Sequence, residues 1–241
     1  MSSAFLGELL GTMTLILLGS GVNACVNLNG SFGRDSGWLV ITVGWGIAVI
    51  LGVIVALVVG SNAHINPAVT IGVSVATGEW GHVPTYVSGQ FLGAFLGATL
   101  AWLHYYPLWV CTDDPAKKLS CFCTSPAIRN LPSNLFSEII GTFVLVFVAA
   151  AIFSENLAPG GLAPGAGPFL VGLLVWGIGM SLGGVTGYAI NPARDLGPRI
   201  AHAVLPIAGK GDSGWDYAAV PVVGPLLGAV LAGLAVSALQ L

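Results

Sequence analysis

Two tripeptides, Asn66-Pro67-Ala68 and Asn191-Pro192-Ala193, carry the first chemistry legible in this chain. Each sets asparagine, a favoured helix cap, directly before a proline. Proline suits the first helical position because its missing N–H would be unpaired there anyway. The segments 67–77 and 192–205 that follow are too short to cross a bilayer, which takes about 20 residues. They read as half-helices. An asparagine amide offers N–H donors to a passing oxygen, and a helix N-terminus carries about half a positive charge. Two such ends facing each other would make a water between them donate outward, break any proton relay and disfavour cations. Arg194 stands three residues after Asn191. A guanidinium at membrane depth costs several kcal/mol and marks a pathway. The blander alternative is an ion pair with Asp195, but neighbours on a helix point about 100° apart and pair poorly.

The composition places these segments in a membrane. Of 241 residues, 55% are hydrophobic and 7% charged, against about 25% charged in soluble domains. A net charge of −3 gives no footing for nucleic acid. Cys25, Cys111, Cys121 and Cys123 do not form a disulfide framework, and Cys121-x-Cys123 lacks the pair spacing of structural zinc. No metal and no cofactor are expected. The first apolar run has no basic region before it and reads as a retained span rather than a cleaved signal. Six stretches are long and apolar enough to span: 4–26, 38–60, 84–106, 134–154, 168–187 and 217–238. Glycines four apart inside them, as at Gly89, Gly93 and Gly97, let helices pack closely in lipid.

The chain repeats itself. Gly7-Glu8-Leu9-Leu10-Gly11-Thr12 answers Ser137-Glu138-Ile139-Ile140-Gly141-Thr142 at an offset of 130. Trp45-Gly46-Ile47 answers Trp176-Gly177-Ile178 at 131, and the two Ile-Asn-Pro-Ala segments match at 125. Each copy holds three spans, an odd number, so the second enters from the opposite side. That is an inverted repeat, which places its site near the midplane. The whole of 1–241 reads as one channel domain: a first repeat 1–110, a connecting loop 111–132 and a second repeat 133–241.

His64-Ile65-Asn66-Pro67-Ala68-Val69-Thr70 and the run from Asn191 to Arg199 resemble the two signature loops of the aquaporin (major intrinsic protein) family. Asp195 after Arg194, with Arg199 and Pro221, resembles the glycerol-conducting branch, the aquaglyceroporins. The resemblance covers nearly the whole chain. It implies an all-α membrane protein, a right-handed bundle of six transmembrane helices plus two re-entrant half-helices, assembled as a homotetramer in the lipid bilayer of the plasma membrane. It also implies cytoplasmic termini. The Lys and Arg residues then fall toward the outside, against the positive-inside tendency.

By the same resemblance, Trp45, Gly179, Tyr188 and Arg194 form the selectivity constriction, and His64 lines the inner vestibule. Gly179 would leave room where strict water pores of the family carry His. Trp45 and Tyr188 would face the CH side of a polyol and Arg194 its hydroxyls. Glu8 and Glu138 are expected to accept hydrogen bonds from the loops before the half-helices, as buried charges must be paired. Asp195 and Arg199 are expected to support the loop as an i, i+4 pair. The expected function is passive passage of glycerol, water and other small neutral solutes (dihydroxyacetone, urea, protonated lactic acid), with no catalysis. The alternative is a secondary transporter, which would need Glu8 or Glu138 as a coupling group.

Overall fold

In the computed structural model, which describes residues 3–241, the chain is helical throughout its regular structure. The long apolar runs become α1 (Ser3–Asn27), α2 (Trp38–Val59), α4 (Val83–His104), α6 (Leu131–Phe153) and α9 (Val220–Leu239). Among the described residues, these five are long and apolar enough to cross a membrane. The sixth expected span, 168–187, is the shorter α7 (Ala166–Leu182). Its 17 residues reach about 26 Å. The helix ends early because Gly183, Gly184 and Gly187 unwind the chain, Gly187 with a φ of 75°, toward the second Asn-Pro-Ala.

The half-helices are α3 (Pro67–Thr77) and α8 (Pro192–Val204), each opening on its proline. The segment expected as a plain connecting loop carries the short helix α5 (Pro115–Ser120), capped by the Asp114 carboxylate.

Within each repeat the first helix packs between the other two: α1 against α4 and α2, α6 against α9 and α7. The halves then interlock. α3 lies against α9 of the second repeat, α8 against α4 of the first, and α2 against α7. This inverted arrangement brings the two half-helices to the same depth from opposite sides.

Glycine makes the close approaches possible. Gly46 on α2 faces Gly172 on α7: a Cβ on either would lie 2.8–3.0 Å from the other's carbonyl oxygen. Gly11 and Gly52 stand in the same relation between α1 and α2, at 2.8 Å each way. Real Cβ atoms do not approach a carbonyl so closely, so these contacts are backbone on backbone. Without a hydrophobic force between helices in lipid, such van der Waals contact is what binds them.

Gly97 on α4 meets the Met13 carbonyl of α1, where a Cβ would sit at 2.5 Å. Gly177 on α7 meets nothing. Gly97→Ala should therefore lower the thermal midpoint in detergent, with overpacking of about 1–3 kcal/mol. Gly177→Ala should hold or raise it, since alanine favours helix over glycine by about 1 kcal/mol.

Candidate functional site

The two re-entrant loops need hydrogen-bond partners because their backbone is not helical. Each receives a carboxylate from the first helix of its own repeat. Glu8 accepts from the N–H groups of His64 (2.9 Å) and Ile65 (2.7 Å) and from the Ser61 hydroxyl. Glu138 accepts from Ala189 (3.0 Å) and Ile190 (2.8 Å). Both glutamates are fully buried. Gln90 adds a second tie in the first repeat, donating to Glu8 at 2.7 Å and to the Thr70 hydroxyl at 3.0 Å.

The loops run through left-handed backbone at matched positions. Ala63 and Ile65 have φ of 57° and 44°, and Tyr188 and Ile190 have 39° and 42°. For L-residues this region costs roughly 1–2 kcal/mol each, and for branched isoleucine it is rare. Such strain persists only where the surroundings over-determine it. The carboxylates supply that constraint.

Asn66 and Asn191 each serve two partners' needs at once, capping a helix and crossing to the other loop. Their side-chain oxygens cap the half-helices, accepting from Ala68 (2.8 Å) and from Ala193 and Arg194 (3.0 and 3.2 Å). Their amide nitrogens cross to the opposite loop: Asn66 donates to the Ile190 carbonyl at 2.8 Å, Asn191 to the Ile65 carbonyl at 2.9 Å. One N–H of each amide is thus fixed, which orients the other.

A cavity of about 660 Å³ runs past both asparagines and is lined also by Trp45, Tyr188, Arg194 and His64. Its remaining wall is mostly apolar, with Leu15, Val49, Val53 and Val175 among the lining side chains. Arg194 is only 7% exposed. Its guanidinium carbon lies 4.0 Å from the centre of the Trp45 ring, and one nitrogen donates to the Phe122 carbonyl at 3.1 Å. It makes no ion pair with Asp195. Trp45 is itself anchored, its indole N–H donating to Asn23 at 3.1 Å. His64 bonds the Thr70 hydroxyl at 3.2 Å and packs edge-on against Tyr86 and His82.

Gly179 stands apart from the other residues expected at the constriction. It does not line the cavity, because the space left by its missing side chain is filled by the Tyr188 ring. A Cβ there would lie 2.7 Å from the Tyr188 Cζ.

Asp195 and Arg199 form a fully buried pair, with Arg199 Nε 2.8 Å and Nη2 2.7 Å from Asp195. Asp195 also accepts from the Thr124 N–H and hydroxyl, at 2.7 and 2.6 Å. Arg199 donates on to the carbonyls of Thr124, Ser213 and Gly214. The connecting loop therefore descends onto α8. Phe122, Thr124 and Asn23 are site residues that sequence reasoning missed. One signal was available: Cys121-Phe122-Cys123 is an apolar run inside a polar loop. All three are buried, and both cysteines are free thiols.

The residues match known proteins over most of their length. Residues 1–236 match the family described as major intrinsic protein. The chain is 55% identical to the probable glycerol uptake facilitator protein of Thermotoga maritima, over 95% of this chain and 96% of that one. It is 52% identical to the glycerol uptake facilitator protein of Bacillus subtilis, over 96% and 83%. The X-ray structure of the aquaglyceroporin from Plasmodium falciparum superposes with a TM-score of 0.85 at 32% identity, covering 98% of this chain and 95% of that one.

Two outcomes follow from this geometry. Glu138→Ala leaves two buried N–H groups unpaired at about 1–3 kcal/mol each, so both the thermal midpoint and solute flux should fall steeply, while Glu155→Ala on the exposed 154–165 loop changes neither. Burial also pushes the Cys121 and Cys123 thiols well above the ordinary range. A raised thiol pKa keeps the unreactive protonated form as pH rises. Maleimide should label exposed Cys111 first, and raising the pH from 7 to 9 should not bring Cys121 and Cys123 into reaction in the folded protein, as read by mass spectrometry.

Proposed function

Because this chain belongs to the major intrinsic protein family, we propose that it is a passive channel for glycerol and water. The family match and the glycerol uptake facilitators among its relatives support this reading. The observation that carries it to this chain is the cavity itself: an apolar wall with the donors of Arg194, Asn66 and Asn191 on it. A polyol has a CH face and an OH face, and such a lining suits both at once. Arg194 has donors beyond the one bound to Phe122, since a guanidinium carries five N–H groups.

Ions and protons are opposed by two features. Arg194 and the N-termini of α3 and α8 put positive potential along the path, which disfavours cations. The free N–H of each asparagine donates to a water at the centre, so that the water's own hydrogens point away from both amides. A chain of waters with that reversal cannot pass a proton along. Small neutral solutes such as urea, dihydroxyacetone and protonated lactic acid share the needed chemistry and belong to the same proposal.

The secondary-transporter alternative needs a carboxylate free to bind a coupling ion. Glu8 and Glu138 are the carboxylates of the long spans, and their oxygens already hold loop N–H groups. The proposal includes no enzymatic activity. It extends to a homotetramer in the plasma membrane with both termini cytoplasmic, as the family resemblance implies.

The test is stopped-flow light scattering on proteoliposomes, comparing water and glycerol in wild type and Gly179→His. Wild type should conduct both. Imidazole at position 179 needs the space held by the Tyr188 ring, so glycerol flux should fall by about tenfold or more, equivalent to ~1.4 kcal/mol at the barrier, with a much smaller loss of water flux. Equal loss of both, or no glycerol flux in wild type, overturns the glycerol reading.

A further inference from the structure

Tyr188 lines the cavity beside the second Asn-Pro-Ala, yet its ring is positioned by residues outside the constriction. We propose that Gly183 and Trp38 are specificity-determining residues. With Gly179 they form a cradle that holds the Tyr188 ring back against α7 and so sets the lumen width. This inference rests on the channel reading above and deepens it.

The cradle is a tight fit. A Cβ on Gly183 would lie 2.5 Å from Tyr188 Cδ1, 2.5 Å from the Gly179 carbonyl oxygen and 2.9 Å from Trp38 Cζ2. A Cβ on Gly179 would lie 2.7 Å from Tyr188 Cζ and 2.9 Å from its hydroxyl. The two glycines are one turn apart, so their combined gap matches the length of the ring. Trp38 closes one side, its ring edge-on to Tyr188 at 5.9 Å between centroids. Its indole N–H donates to the Gly179 carbonyl at 3.2 Å, which ties the clamp to the same helix turn.

No protein hydrogen bond sets the ring's position; packing does. The Tyr188 hydroxyl is buried and has no hydrogen-bond partner among the described residues. Nor can the backbone give way: Tyr188 sits at a φ of 39°, and the next N–H, of Ala189, is bound to Glu138. With α7 behind, Trp38 beside and the loop fixed, the cavity is the side left for the ring to move into. Even one methyl at position 183 would drive it there. By contrast, a Cβ at the adjacent Gly184 meets nothing within 4 Å.

The experiment measures the glycerol-to-water permeability ratio in proteoliposomes for wild type, Gly183→Ala, Gly184→Ala, Tyr188→Ala, Trp38→Ala and the Gly183→Ala/Tyr188→Ala double variant. The cradle predicts that Gly183→Ala lowers the ratio about tenfold, equivalent to ~1.4 kcal/mol at the barrier, and that Gly184→Ala leaves it unchanged. Removing the ring should cancel the part of the effect that Tyr188 transmits, so the double variant's ratio should return toward that of Tyr188→Ala, with any remaining loss from the Gly179 carbonyl falling on water and glycerol alike. An unchanged ratio in Gly183→Ala overturns the proposal. So does a parallel loss of water and glycerol that Tyr188→Ala does not relieve, because that marks a structural role only. If Gly183→Ala fails to assemble, Trp38→Ala decides: Trp38 is 43% exposed, and a ratio shifted by less than about twofold overturns the cradle. A wild type that passes water but not glycerol defeats the glycerol reading separately. The cradle then stands or falls on whether Gly183→Ala reduces water flux and Tyr188→Ala restores it.

Discussion

A chain that leaves the helix in the middle of a bilayer exposes N–H and C=O groups where no water can bind them freely, and each one left unpaired costs several kcal/mol. This molecule does so twice, and everything else is arranged around it. Glu8 and Glu138 reach from α1 and α6 to take two N–H groups from each loop. The asparagines then exchange bonds with the opposite loop, Asn66 to Ile190 and Asn191 to Ile65. Neither loop can hold its strained backbone alone. The reciprocal asparagine bonds make the two repeats one structural unit, and they hold the half-helix dipoles nose to nose.

On this shared frame the repeats have diverged. Val69 of the first half-helix stands where the second has Arg194, and Thr70 where it has Asp195. The first side is held by side-chain hydrogen bonds from Gln90 to Glu8 and to Thr70. The second is held by the buried Asp195–Arg199 pair and the connecting loop. A buried ion pair is poor evidence of stability gained, because desolvation opposes the attraction. Its merit is geometric. It fixes Thr124, and with it the segment whose Phe122 carbonyl holds Arg194. A guanidinium with a backbone oxygen at one edge and Trp45 against its face cannot swing away from the lumen.

Much of this was legible in the sequence because the responsible signals are local. Asn-Pro opens a helix by rules that need no tertiary partner, so α3 and α8 begin where expected. The glutamates stood out because a charge inside an apolar span demands a partner. What escaped has at most a faint residue signature. Arg194 binds Phe122 through a backbone carbonyl, a group every residue carries. Gly179 was read for the space it leaves, but which neighbour fills that space depends on how the 183–190 segment unwinds. That segment also reads as the end of a span, since its apolar residues continue past Leu182 while its glycines break the helix.

The few charges of the chain are placed by the same frame. Each of the seven Lys and Arg has a partner in the fold. Arg34 and Lys117 meet Asp35, and Arg129 meets Asp216, in exposed pairs that contribute little. The others are fasteners. Lys118 reaches the Ala208 and Gly209 carbonyls, and Lys210 caps the far end of α8 through the carbonyls of His202, Ala203 and Leu205. Arg194 and Arg199 bind the connecting loop. The N-terminus of α8 is already capped by Asn191, so its further anchors lie at its sides and its C-terminus, and a C-terminus attracts cations. The need to hold α8 therefore draws positive charge to the side on which α8 ends.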